Sequence, residues 1–394
     1  MEVSVIIPIY NAEKYLEETL QDIQKQSFQD FEVLLVDDAS TDGSLVMAKQ
    51  FCHRDSRFRL LENKRNMGAA YSRNRGLAEA SGKFVMFLDS DDNYDPAMFA
   101  TLYRNIVKYN ADVVMCNANI IDQRTGERRE FGQWRRLQPY LCETGVWVVD
   151  DLKEREGASG LVDMVAWNKL IRREWLQTSK IEFQDLPSYN DLYFSMAVTL
   201  LAKRVVFIRD TFVDYYQFRI GSITEQRGWK HCGIVKAYAA LLQVDAIRNS
   251  RIASELRNRA MHNMLAIALA DHRSNESKVQ LLREISFLYE SDWKAYKTNW
   301  DPICAFYLTH IQNMNENELA DINPWEYTVS LVLELLTEKA IVYAGNRYTE
   351  EAEMLKKRWE FAGKMAEVKC LHDEPDAFYI TDGNCRYERK QVCL

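Results

Sequence analysis

The sequence predicts an α/β fold, a doubly wound and mostly parallel sheet followed by a largely helical C-terminal region. Three observations lead there. Short apolar runs alternate with amphipathic helical segments through the first third of the chain, polar clusters stand at the ends of those runs, and helical periodicity dominates from Trp229 to about Glu318.

Val3 to Pro8 is a short apolar run, as expected for a strand buried on both faces of a parallel sheet. Ala12 to Lys25 follows with Tyr15, Leu16, Leu20 and Ile23 at helical spacing. The alternation continues with a strand at Phe31 to Val36, a helix at Ser44 to Phe51 and a short strand at Phe58 to Leu61. Next come a helix at Ala69 to Ala80, a strand at Phe84 to Leu88, a helix at Pro96 to Tyr109 and a strand at Asp112 to Asn117. From Asp122 to Met164 the pattern weakens; regularity returns in VAWNKLIRREWL, in NDLYFSMAVTLL as a helix and in KRVVFIRD as a strand. Beyond Pro324 a helix at Ser330 to Leu336, the segment EKAIVYAG, a helical TEEAEMLKKRWEF and the strand candidates AEVKCLH and DAFYITDG suggest a degenerate βαβ appendix. It lacks a GxGxxG, so packing between domains or in a homo-oligomer suits it better than a cofactor site.

Composition narrows the class. With 47% hydrophobic and 27% charged residues the chain is of globular type, and a formal net charge of −8 argues against a nucleic-acid binder. Eight cysteines without a CxxC pair suggest neither a zinc site nor a disulfide framework. The start EVSVIIPIY does not have the pattern of a signal peptide, and no apolar run reaches the roughly 18–20 residues of a transmembrane helix. The expectation is a cytoplasmic protein, with contact at the inner face of the membrane left open.

Ligands of doubly wound sheets sit beyond the carboxyl ends of the strands, which is where four clusters fall. Pro8-Ile9-Tyr10-Asn11 ends the first strand; by itself it reads as a strand stop with Asn11 as helix cap. Asp37-Asp38-Ala39-Ser40-Thr41-Asp42 ends the second, and one carboxylate there can accept a hydrogen bond from a base N–H while the turn reading stays equally open. Asn66-Met67-Gly68 precedes a helix carrying Arg73 and Arg75, whose guanidinium groups suit forked contacts with phosphate unless they form a solvated face. Asp89-Ser90-Asp91-Asp92 ends the fourth. Residues i and i+2 of an extended segment point the same way, so Asp89 and Asp91 would repel without a cation beside them. A hard divalent ion, Mn²⁺ or Mg²⁺, would relieve that and bridge to a diphosphate. A capping turn accounts for Asp95-Pro96 but not for Asp89 to Asp92.

In their order, VSVIIPIYNAEKYL, FEVLLVDDASTDGS, NMGAAYSRNRGLAEASGKFVMFLDSDD and WNKLIRR resemble family-two glycosyltransferases of the GT-A fold, itself Rossmann-like, over roughly the first 225 residues. The resemblance implies that Pro8, Tyr10 and Asp38 hold the uridine, that Arg73 lies near the base or diphosphate, and that Asn66 and Gly68 belong to the donor-binding set. Asp89 and Asp91 match the DxD motif for donor and metal, and Asp92 can stand in for either. The family's ED pair at a later helix start is matched by Asn190-Asp191, which makes Asp191 the general base, with Asp185 as second choice and helix capping as the plain alternative. Arg219 in YQFRIGSIT matches the segment that closes over the diphosphate. Gln226-Arg227-Gly228-Trp229 departs from the QxxRW of processive synthases, which implies one sugar added per encounter.

These matches divide the chain into a nucleotide-sugar-binding and catalytic domain at 1–225, a helical region at 226–323 and an appendix at 324–394. They imply an inverting enzyme of polysaccharide biosynthesis with a UDP-sugar donor and a glycan or lipid-linked acceptor. Glu130 to Tyr140, with Trp134, Arg135 and Arg136, fits an acceptor site, an anionic lipid surface or a solvated loop. A nucleotidyltransferase or a NAD-dependent oxidoreductase would need a glycine-rich loop after the first strand, and PIYNAEKYL has none. An inactive sugar-nucleotide-binding protein remains the alternative from another class, because Asn190 replaces the usual Glu.

Overall fold

A computed structural model describes residues 1–131, 137, 140–141, 143–219, 233–268, 275–288, 339–345, 353, 365–371, 378–381 and 386–388. The expected domain limits near 225 and 323, Trp134 to Arg136, the Gln226–Trp229 segment and the helix at 330–336 lie outside the described residues.

The apolar runs form the centre of the sheet. Strands β1 (Val3–Ile9), β2 (Phe31–Asp37), β3 (Phe58–Glu62) and β4 (Phe84–Phe87) are parallel, with Val5 opposite Val33 and Met86. All seven residues of β2 are buried, which is why its sequence is apolar on both faces. Of its two acidic residues, Asp37 ends the strand and Glu32 accepts hydrogen bonds from the hydroxyls of Ser4 and Ser81. Along the sheet the order is β3-β2-β1-β4-β9-β6-β10-β5. Here β5 is Asn93–Tyr94, β6 is Val113–Asp122, β9 is Lys169–Arg172 and β10 is Arg204–Gln217. Two further strands, β7 (Arg128–Glu130) and β8 (Val146–Asp150), pair antiparallel with β6 and β10. Strand β9 runs antiparallel between β4 and β6, so the sheet is mixed although mostly parallel.

Helices α1 (Leu16–Gln24), α2 (Ser44–Arg54), α3 (Ala69–Glu79) and α4 (Met98–Lys108) connect the early strands, and α5 (Arg173–Ser179) and α6 (Leu192–Leu201) follow β9. The first helix starts later than its periodicity suggests. Asn11 takes a left-handed φ of 50° and directs its side-chain oxygen to the Thr41 N–H, so it ties two loops together instead of capping α1. The helices α7 (Gly233–Gln243), α8 (Asp245–Arg248), α9 (Ala253–Ala268) and α10 (Asn275–Leu288) continue the chain.

Residues form two compact units, Met1–Glu255 and Leu256–Leu394. The second contains a four-stranded sheet ordered β12-β11-β13-β14, from β11 (Lys339–Gly345), β12 (Met365–Leu371), β13 (Phe378–Thr381) and β14 (Arg386–Glu388). The β11–β12 pair is parallel, the arrangement a βαβ unit produces.

Gly76 sets how closely α3 approaches the sheet. A Cβ built there would lie 2.5 Å from Cγ2 of Ile6 on β1 and 3.3 Å from Cγ2 of Val36 on β2. Gly76→Ala should therefore destabilise the chain by about 1–3 kcal/mol despite the better helix propensity of alanine. Chemical denaturation will show this as a lowered midpoint, and combining it with Ile6→Ala should cost less than the sum of the two changes.

Candidate active site

The ends of β1 and β2 are fastened to each other before any ligand is considered. The Ala12 N–H donates to Ser44 Oγ at 2.8 Å, Glu13 N–H to Asp42 Oδ2 at 3.1 Å, and Gly43 N–H to Glu13 Oε2 at 3.0 Å. Between these loops Tyr10 stays 49% exposed, available to stack on a flat ligand, and Pro8 is partly buried.

Asp38 is 2% exposed. Its Oδ1 accepts from Asn63 Nδ2 (2.7 Å) and the Met67 N–H (2.8 Å), and its Oδ2 from the Gly68 N–H (2.7 Å). The carboxylate thus shapes the loop before α3, and Gly68 supplies the φ of 88° that this loop requires. A carboxylate has roughly four lone-pair sites, so Asp38 keeps capacity for one more donor. Asn66, directly before Met67, is exposed. Asn63, which sequence reasoning missed, also holds Ser72 Oγ (3.0 Å) and so joins β3 to α3.

Arg73, the next residue of α3, faces the other way. It is 7% exposed, and its Nη2 donates to Asp89 Oδ1 at 2.6 Å while Nη1 donates to Asn190 Oδ1 at 3.1 Å. One guanidinium therefore joins the acidic strand end to the segment carrying Asp191 across 117 residues of sequence. Aromatic packing supports the same juxtaposition: Phe87, two residues before Asp89, meets Phe183 edge-on at 4.8 Å and Phe194 of α6 at 5.2 Å.

Asp89, Asp91 and Asp92 face different surroundings. The backbone of Asp89 is fixed by Tyr94, whose hydroxyl accepts from its N–H (2.9 Å) and donates to its carbonyl (3.1 Å). Asp91 keeps 39% of its side chain exposed, with Arg219 Nη1 at 3.7 Å. Burial, and then the charge of Asp89, push its pKa up to about 6. Asp92 is 1% exposed; its Oδ1 accepts from the Tyr216 N–H at 3.0 Å and its Oδ2 has no hydrogen-bond partner among the described residues. Burial and the neighbouring Asp91 and Asp89 raise its pKa well above the usual carboxylate range.

Asp191 precedes α6, its carbonyl accepting from the Ser195 N–H at 2.8 Å. Burial raises its pKa to about 6, Arg73 and Lys169 oppose that rise, and Asp89 adds to it. A carboxylate with such a pKa can take and release a proton near neutrality. Asp185 is exposed. Arg219 is 5% exposed, its guanidinium carbon 3.9 Å from the Tyr15 ring centre and 4.2 Å from that of Tyr216. Among the described residues its Nε and Nη1 have no hydrogen-bond partner, so the group is held between two rings with donors in reserve.

The predicted residues fall into two groups joined by α3. Pro8, Tyr10, Asp38, Asn66 and Gly68 surround the ends of β1 and β2, while Arg73, Asp89, Asp91, Asp92, Asp191 and Arg219 form one network of charges. Among the described residues no set of three or more His, Cys, Asp or Glu is arranged to enclose a metal ion, and no helix is long and apolar enough to cross a membrane.

Residues 4–179 match the family model described as glycosyl transferase family 2. Glycosyltransferase GlyG of Streptococcus pneumoniae serotype 4 is 32% identical over 225 residues, covering 56% of this chain and 72% of GlyG. GlyA of the same organism is 28% identical over 310 residues, 75% of this chain but 43% of GlyA, so the chain spans less than half of that relative. A cholesterol galactosyltransferase of Borreliella burgdorferi is 31% identical over 229 residues, 57% of this chain and 62% of that protein. In fold the chain is similar to residues 1–349 of S. aureus TarS in complex with UDP, with a TM-score of 0.65 at 20% identity over 85% of this chain and 93% of that one. The alternating elements of the sheet agree with these matches, and the chain belongs to glycosyl transferase family 2.

Proposed function

We propose that the chain is an inverting, metal-dependent glycosyltransferase that moves a hexose or N-acetylhexosamine from a UDP-sugar to a hydroxyl of a glycan, glycolipid or protein-linked acceptor. The observation that carries this reading is the Arg73 bridge, which holds Asp89 and the Asn190–Asp191 segment on either side of one guanidinium. Support for the nucleotide comes from TarS, which has been crystallised with UDP and with UDP-GlcNAc.

The donor set suits Mn²⁺ or Mg²⁺. Asp91 is partly exposed, among the described residues its ion-pair partner is Arg219 at 3.7 Å, and Asp89 stands beside it. Asp91 and Asp89 would hold such an ion together with the donor diphosphate. Such an ion would supply charge neutralisation for the UDP leaving group. Asp92 is turned towards β10, so its first role is to hold Tyr216, whose ring lies against Arg219. Arg219, with two donors unpartnered among the described residues, would contact the diphosphate. Asp191 would accept the proton of the acceptor hydroxyl as that oxygen attacks the anomeric carbon from the face opposite the nucleotide.

Asp191→Asn should lower kcat by about 10²–10⁴ while calorimetry still finds UDP binding; near-normal turnover would refute the base assignment. Because the base works unprotonated, kcat at saturating donor should fall as pH drops through about 6, the value to which burial raises Asp191. Asp91→Ala should remove the Mn²⁺-dependent part of UDP affinity and leave the metal-free part. A variant that keeps the same Mn²⁺ dependence would contradict the metal role of Asp91.

A further inference from the structure

Beneath the site lies a charged pair that the chemistry above does not use. Lys169, in β9, has a fully buried side chain and its partner Asp163 is 2% exposed. The three protons of the ammonium find three acceptors: Asp163 Oδ1, the Val165 carbonyl at 2.6 Å and Asn168 Oδ1 at 2.8 Å. Asn168 in turn donates to Asp163 Oδ2 at 2.6 Å. Replacing a buried ion pair by apolar groups is often neutral or stabilising, so stability alone is a weak reason for this one.

The connection that matters is to α6. Ser195 Oγ donates to the Val165 carbonyl, the same oxygen that receives Lys169, and lies 3.2 Å from Asp163 Oδ1. The backbone N–H of Ser195 makes the first hydrogen bond of the helix, to the Asp191 carbonyl. One residue is therefore anchored to the buried pair by its side chain and to Asp191 by its backbone. We propose that the Lys169–Asp163 pair is a positioning device: acting through Ser195, it fixes the first turn of α6 and with it the direction of the Asp191 carboxylate.

This inference rests on Asp191 being the base. Charge supports it as well. Asp191 is influenced by Arg73 and Lys169 on the cationic side and by Asp89 on the anionic side, with the Tyr215 phenol also near enough to feel it. Lys169 is thus both the anchor of the turn and, after Arg73, a cation that draws the Asp191 pKa down against burial. Neither Lys169 nor Asp163 would touch substrate, since both are shut away from solvent.

The test compares Ser195→Ala with the double variant Lys169→Met, Asp163→Asn, which removes both charges together and so avoids stranding a buried carboxylate. Circular dichroism sets a temperature at which both are folded. At that temperature kcat, donor KM, UDP affinity and the pH profile of kcat are measured on the full chain. A misplacement of 1 Å can cost about 100-fold in rate, so kcat should fall by about 10- to 100-fold. Donor KM and UDP affinity should stay within about twofold, which a merely structural role would not produce. In the double variant the acid limb should also move to higher pH. Unchanged kcat in both folded variants, or kcat and UDP affinity falling together, would overturn the positioning role. Either result would leave the base assignment standing, because that depends on Asp191→Asn and not on these variants.

Discussion

The site depends on how four carboxylates are kept together. Asp89, Asp91, Asp92 and Asp191 bring like charge into one network, and burial together with neighbouring carboxylates makes Asp91, Asp92 and Asp191 resist ionising. Arg73 makes the arrangement tolerable. Its two terminal nitrogens are held by Asp89 and Asn190, so its charge sits between the acidic strand end and the helix that carries Asp191. Arg219 serves the other side, 3.7 Å from Asp91 and enclosed by two tyrosine rings. The compensation is incomplete, which is why Asp91 and Asp191 both rise to about 6. That residual strain leaves the site receptive to further positive charge at Asp91 and leaves Asp191 able to exchange a proton.

The scaffold delivers these groups by packing rather than by local sequence. Gly76 lets α3 lie close on β1 and β2, which brings Ser72 to Asn63 and Arg73 to Asp89 from consecutive positions. Phe183 and Phe194 stack at 3.8 Å and meet Phe87, so the chain around Asp191 is seated on the strand that ends in the acidic cluster. These contacts also account for Asn190 in place of the usual Glu. An amide oxygen satisfies one nitrogen of Arg73 without adding a fifth negative charge.

Much of this was legible in advance because the central strands are buried on both faces and are therefore mostly apolar, as β1, β2 and β4 are. The acidic strand end and the carboxylate before α6 could be read for the same reason: charge directly after a buried run, or at a helix start, needs an explanation. The antiparallel insertion of β9 could not be read, since four residues leading straight into α5 carry too short a pattern. Strand β10 extends well past KRVVFIRD because irregular pairing between Phe207 and Val213 shifts its inward face midway. Least visible were the partners. Nothing local says that Asp38 holds Met67 and Gly68, that Asn63 joins it, or that Tyr94 fixes the backbone of Asp89. Those pairings arise from tertiary contact, and single-sequence periodicity does not encode them.

The most direct test is a crystal structure of the chain grown with UDP and Mn²⁺. The account predicts the ion at the carboxylate of Asp91, the uracil near Tyr10 and Asp38, and Arg73 still bridging Asp89 and Asn190. A nucleotide bound elsewhere, or an Arg73 that leaves both partners to grip the diphosphate, would contradict it.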